Sequence, residues 1–390
     1  MAAHGSWECD TGAVDGLKVL FLTEGVVGAV MGHATYDASL EPVVKNMSGV
    51  EVRLAGLPEQ TRLQKVLWRG APMLERYDLD MQASRWHAVH SMLARRSLVE
   101  QIEDFDPDVV QVKSHSITFG MVPLMKRVPV VPVVDITVWG WREMATGRQL
   151  RPWSKAMLWP SERSERAVFE HAPLVLGMTD WASNDVRRVA PDARVVTNHP
   201  GIDLERFRPA ESRNSSPKGR VLFVGGRFES KGGYHLIEAL GERLGREVDL
   251  DVVSAEEVPQ REGIRVHRLS NDDPRLVELY QQADLLCLPT RGDSTPWVVL
   301  EAMGCGTPVV ANAVAGIPEL LGGGRGGVVV PPGDVHALRR ELWGLLDDDK
   351  RRAELGAGGR AHMEENFDSR VQVPRLLELL LDVGRRAGRD

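Results

Sequence analysis

Cysteine is scarce. The 390 residues hold three, at positions 9, 287 and 305, odd in number and far apart. That excludes a disulfide framework and any zinc-finger spacing, and it fits a reducing, cytoplasmic setting. Cys287 stands in the apolar run "ADLLCLP" and reads as a small buried hydrophobe. Positive charge is not in excess: 48 Lys and Arg face 55 Asp and Glu, a net charge of −7. This gives no basis for binding nucleic acid, which shows as a basic balance. No stretch reaches the roughly 18 apolar residues that span a bilayer. No transmembrane segment is expected, while peripheral contact with a membrane surface and the oligomeric state stay open. Residues 1–16, "MAAHGSWECDTGAVDG", lack a basic start and an apolar centre, so they are expected to be a disordered leader and not a secretory signal.

Several motifs are missing as well. There is no G-x-G-x-x-G with an acid about 20 residues on, no phosphate loop ending in Gly-Lys-Ser/Thr, and no G-x-S-x-G. A dehydrogenase and a serine hydrolase lose their main support. Acid pairs such as "DFDPD" precede a strand, whereas metal-holding acids should follow one, so no metal is expected.

What the chain does have is alternation. Short β-branched runs, from "LKVLFLTE", "VEVRLAGL" and "DVVQVKS" through "RVLFVGGR" and "ADLLCLPT" to "GVVVPPGD", alternate with amphipathic stretches such as "YHLIEALGERLG". Several runs are apolar throughout, as strands covered on both faces are. The pattern predicts an α/β protein with parallel sheets, and the length predicts two domains. The polar segment 206–220, "RFRPAESRNSSPKGR", reads as the linker. Domains of 17–205 and 206–370 follow, two doubly wound Rossmann-like units facing a central cleft at their strand ends. Ten tryptophans are present, four of them at 139, 141, 153 and 159. They read either as packing for an irregular loop or as a platform for a sugar or lipid acceptor.

The chemistry concentrates in a few places. In "GDSTPWVVLEAMGCG", Asp293 and Glu301 are eight positions apart. Thr295 is expected as N-cap and Pro296 as the first helical residue, with the helix stopping at Gly304 or Gly306. N–H groups around Trp297 and Val298 would then suit a phosphate, and the two acids would accept hydrogen bonds from sugar hydroxyls. The competing reading is a solvated loop with an acid on the helix dipole. In "VLFVGGRFESKGG", Gly225 and Gly226 end a strand, and Arg227 and Lys231 bring positive charge that would stabilise a departing diphosphate. A solvated basic turn competes with that. Gly25, Gly28 and Gly32, with His33, could cradle a phosphate or receive an acceptor, or His33 could simply cap a helix. His115 follows the run "DVVQVKS" and is placed to bond substrate hydroxyls, or to be a structural histidine; Asp135 and Thr137 follow the next run.

Together these segments resemble the retaining GT-B glycosyltransferases of family GT4, the glycosyl transferases group 1. "VGGRFESKGG" is similar to the family's Gly-Arg…Lys-Gly segment, and "LYQQADLLCLPT" to its Tyr-x-x-Ala-Asp strand. Asp293 to Glu301 with "AMGCGTPVVANAVAGIPELL" resembles its Glu-x7-Glu and Gly-x-Pro-Glu run, "TNHPGIDLERFRP" its hinge, and "DVVQVKSHS" the strand before its active-site histidine. The resemblance implies that Arg227 and Lys231 bind the diphosphate, with Thr295, Pro296, Trp297 and Val298 beside it. It implies ribose hydroxyls on Glu301 with Gly226 and Arg268 at the nucleotide, the donor hexose on Asp293, and His115 at the reaction centre. Gly28, Gly32, His33 and Asp135 fall to the acceptor side, and a final helix, 371–390, is expected to pack back on the N-terminal domain. The implied activity is retaining, metal-independent transfer of a hexosyl group from a nucleoside diphosphate sugar, UDP or GDP first, to a small-molecule, glycan or lipid-linked hydroxyl. A sugar-nucleotide epimerase or a non-catalytic sugar-nucleotide binder is the alternative. Three departures stand out: Asp293 replaces the usual Glu, Ser294-Thr295-Pro296 replaces Gly-Phe-Gly, and the Arg-to-Lys loop is one residue shorter.

Overall fold

The structure, a computed structural model, describes residues 17–23, 49–58, 60–62, 64, 82–145, 152–212 and 217–388. The leader 1–16 and the Gly25, Gly28, Gly32 and His33 segment lie outside the described residues.

The first unit contains β1 (Leu17–Leu22), β2 (Val50–Ala55), α1 (Gln82–Asp104) and β3 (Val109–Val112), then a 3-10 turn at His115–Ile117 and β4 (Val130–Val134). It continues through α2 (Val138–Ala145), α3 (Pro152–His171), β5 (Val175–Gly177), α4 (Asp180–Val189) and β6 (Val195–Thr197). The second runs through β7 (Gly219–Val224), α5 (Gly233–Leu240), β8 (Val248–Val253), β9 (Ile264–His267), α6 (Pro274–Gln282) and β10 (Leu285–Leu288). It is completed by α7 (Trp297–Gly304), β11 (Val309–Asn312), α8 (Ile317–Leu320), β12 (Gly327–Val330), α9 (Val335–Leu346) and α10 (Asp349–Asn366); α11 (Ser369–Ala387) follows.

The strands make two parallel six-stranded sheets, β2-β1-β3-β4-β5-β6 and β12-β11-β10-β7-β8-β9. Strands β3, β4 and β10 are buried along their whole length, which explains their continuous apolar composition. In each sheet the strand order reverses at one point, between β1 and β3 and between β7 and β10. Loops leaving the carboxyl ends there diverge and open a crevice.

The chain passes between the units twice, and the two passages meet. Ile202 pairs with Asp368: its N–H donates to the Phe367 carbonyl at 2.7 Å and its carbonyl accepts from Ser369 at 3.0 Å. Leu204 and Phe207 are already buried in the second core, so the first passage starts near Asn198, ahead of the polar stretch. After the second passage α11 lays Val373, Leu376, Leu377, Leu380 and Leu381 against Val19, Phe21, Val109 and Val133 of the first sheet. Asp368 caps this helix, accepting from the Arg370 N–H at 2.9 Å.

Candidate active site

In the second unit the switch-point loops follow β7 and β10. Gly232 has φ +86°, and a Cβ there would lie 2.2 Å from the Pro289 carbonyl oxygen, so only glycine lets the two loops touch. That contact delivers Lys231 to Asp293, whose carboxylate accepts from its Nζ. Burial raises the Asp293 pKa, while Lys231 and, more weakly, Arg227 oppose the rise. The next residue reaches across the cleft: Ser294 Oγ donates to Asp135 Oδ2 at 2.9 Å, and Asp135 Oδ1 accepts from the Ile136 N–H.

Helix α7 begins one residue later than expected. Pro296 has ψ 114°, extended backbone, so it caps the helix, and Trp297 is the first helical residue. Thr295 is therefore not the N-cap. Its buried hydroxyl lines the cleft and has no hydrogen-bond partner among the described residues. The far end is as read: the helix ends at Gly304, and Gly306 has φ +72°. Trp297 packs against the cores of both units, and Val298 against the second.

On the facing side, Lys113, Ser114 and His115 leave the carboxyl end of β3. His115 is 4% exposed, and its Nε2 lies 2.8 Å from Glu165 Oε1. His87, on α1, bonds Ser161 Oγ through Nδ1 at 2.9 Å, and Trp86 stacks on His90 with ring centroids 4.0 Å apart. Thr137 donates from N and Oγ1 to Asp185 Oδ2, at 3.1 and 2.6 Å, which fixes the loop carrying Asp135. A cavity of about 670 Å³ joins the two sides, with Trp86, His87, His115, Asp135, Arg227 and Thr295 in its wall. Of the clustered tryptophans, Trp141 also lines it, while Trp159 is exposed with the Arg163 guanidinium over its ring.

Burial, aided by His115 and His90, lowers the His87 pKa from 6.5 to about 4. The unfolded chain then takes up a proton near pH 6.5 that the folded chain refuses until about pH 4. Stability should be full above that window and fall as pH drops through it, by roughly 3 kcal/mol at its lower end. Melting temperatures taken from about pH 7 down to about pH 4 should fall less for His87→Gln than for the parent protein.

The structure thus brings Arg227, Thr295, Trp297, His115 and Asp135 into the wall of one cleft, while the bonded Lys231–Asp293 pair adjoins Ser294 and is not in that wall. Glu301 sits deeper. On the buried face of α7 it is 3% exposed, accepts from Tyr280 OH at 2.7 Å, and is not in the cavity wall. Arg268 bonds the carbonyls of Ser254 and Glu256, and Gly226 lies open beside that turn, a Cβ there meeting nothing within 4 Å. Trp86, His87, Lys113, Glu165 and Tyr280 escape sequence reasoning. Glu165 left a signal in its spacing: on α3 it falls in step with the buried Leu158, Ser161, Val168 and Phe169.

Comparison with known proteins finds its family match in the second unit. Residues 218–348 match the sequence profile of the family described as glycosyl transferases group 1. The match covers about a third of the chain, within the second unit. D-inositol 3-phosphate glycosyltransferase 2 of Catenulispora acidiphila is 31% identical over 228 residues, 51% of this chain and 53% of that protein. The chain thus spans about half the length of such relatives. The MMP alpha-(1->4)-mannosyltransferase of Mycolicibacterium hassiacum is 26% identical over 364 residues, 87% of this chain and 86% of that protein. Anabaena Alr3699/HepE, solved with UDP-glucose, has a TM-score of 0.67 at 16% identity, covering 94% of this chain and 100% of its own. The whole chain has the GT-B fold: two doubly wound units face each other across the cleft.

Among the described residues no helix is long and apolar enough to cross a membrane.

Proposed function

We propose that this protein is a retaining glycosyltransferase. It transfers a hexosyl group from a nucleoside diphosphate sugar, UDP or GDP first, to a hydroxyl acceptor, in the cytoplasm and without a metal. The observation that carries the reading is the single cleft whose wall holds Arg227 and Thr295 from one unit and His115 and Asp135 from the other, with the Lys231–Asp293 pair joined to it through Ser294.

Lys231 and Arg227, with the N-terminus of α7 at Trp297 and Val298, stabilise the diphosphate as charge develops on it. Asp293 takes the donor hexose, and Glu301 takes the ribose hydroxyls beside Gly226 and Arg268. The acceptor oxygen bonds the anomeric carbon on the face that the diphosphate leaves, and its proton passes to the departing phosphate oxygen. The same face is used, so configuration is kept. Closure of the two units about the Ile202–Asp368 pairing keeps water from the donor. The relatives' names, an inositol phosphate glycosyltransferase and a mannosyltransferase, support a hydroxyl acceptor, and the UDP-glucose complex supports a uridine donor.

Thermal-shift screening of UDP, GDP, ADP and dTDP should single out one nucleotide. The matching sugar should then turn over with EDTA present, with the anomeric configuration of the product read by NMR. No shift with any nucleotide would sink the proposal, and an inverted product or loss of turnover in EDTA would sink its finer parts.

A further inference from the structure

Helix α3 turns a buried stripe toward the first sheet, and one member of that stripe is an acid. Glu165 is 0% exposed. Its Oε1 accepts from the N–H of Val138, the first residue of α2, at 2.7 Å, and lies 2.8 Å from Nε2 of His115. Its Oε2 has no hydrogen-bond partner among the described residues. No lysine or arginine bonds it among those residues; the charged and titratable groups acting on it are His115 and Asp185, and burial raises its pKa. A buried carboxylate is costly, and an apolar side chain would fill this space at lower cost. What offsets that cost is the N-terminus of α2 and the imidazole N–H.

The ring of His115 is held on its other sides by Phe119 and Phe169, with centroids 5.9 and 5.8 Å away. Its second nitrogen, Nδ1, is buried and has no hydrogen-bond partner among the described residues, although His115 lines the cleft. We infer that Glu165 is the positioning residue of His115: it accepts the Nε2–H, fixes that tautomer, and leaves the Nδ1 lone pair for a hydroxyl of a sugar bound in the cleft. The inference rests on the reading of the cleft as a transferase site, and its first readout does not.

The test is Glu165→Gln, whose amide oxygen can keep the Val138 bond while the charge is removed. Nitrogen-15 NMR of histidine-labelled protein, with His115→Asn to assign the signal, should show one Nε2–H tautomer in the parent and a mixture in E165Q. In the same variant kcat should fall roughly 10- to 100-fold, the order of loss known for partners that orient metal-bound histidines. The donor KM should stay within about twofold, because Glu165 does not touch the donor. A group that merely shapes the fold would move the melting temperature and leave the tautomer alone. Glu165→Asp, which keeps the charge but withdraws it by one methylene, reads the same quantities if E165Q does not fold. An unchanged tautomer, or an unchanged kcat, overturns the inference. A parent protein that turns over no nucleoside diphosphate sugar refutes the transferase reading instead, and the tautomer signal then still decides whether Glu165 holds His115.

Discussion

Lys231→Ala is expected to lower kcat by roughly two to three orders of magnitude, the usual cost of removing one fixed donor from a developing anion. Two effects add in this variant. The departing diphosphate loses a cation held in place by the Gly232 turn, and Asp293 loses the main group that opposes the rise in its pKa. Burial and Asp135 raise the Asp293 pKa; Lys231 and Arg227 lower it. With only Arg227 left to oppose the rise, Asp293 should hold its proton to higher pH. The residual rate of the variant should therefore climb with pH across a range where the parent is flat. Lys231→Arg keeps the charge and should recover part of the rate. Because the two side chains are in contact, Lys231→Ala combined with Asp293→Asn should cost less than the sum of the single losses. A Lys231→Ala enzyme with parental kcat would mean that the donor binds elsewhere.

Gly232→Ala should be the most damaging single-methyl change at the site. The residue has φ +86°, where alanine is strained, and its new Cβ would meet the Pro289 carbonyl oxygen at 2.2 Å and the carbonyl carbon at 2.8 Å. Backbone cannot swing aside as the end of a side chain can. The expected loss is about 4 kcal/mol, in the range reserved for core clashes and special backbone positions. The second unit's melting temperature should fall by on the order of 10 °C. Nucleotide binding should go with it, since separating the loops carries Lys231 away from Asp293. Gly226→Ala is the matched control. Its Cβ meets nothing within 4 Å, so stability should change by less than about 0.5 kcal/mol. Any rise in its donor KM then measures how closely the nucleotide packs on that glycine.

Sheets of this kind are open to reading from sequence because each strand is covered on both faces and so carries its own apolar run. "VVQV" and "LLCL" announce themselves without reference to neighbours. Residues in the loops that leave the carboxyl ends of such strands inherit that legibility, and Lys231, Asp293, His115 and Asp135 all lie in such loops. Strand order has no local signature, and neither does the partner of a side chain that comes from a distant helix. Glu165 meets His115 across 50 positions, and Tyr280 reaches Glu301 from a separate helix. Thr295 shows a subtler limit: Thr-Pro before an apolar helix suits a cap, but the extended Pro296 frees the hydroxyl for the cleft. The Ser-Thr-Pro departure gains a meaning only in three dimensions. Ser294 ties the loop after β10 to Asp135 of the opposite unit, a bond that glycine could not make.

The placement of α11 has a consequence for biosynthesis. Its leucines complete the core of the first sheet, yet they are translated after both sheets. As the ribosome works, the second unit can close its own core while the first still exposes the apolar face of β1, β3 and β4. The unit made first is therefore the one finished last, and that unsealed sheet is the surface a chaperone would have to guard until residue 387 has emerged.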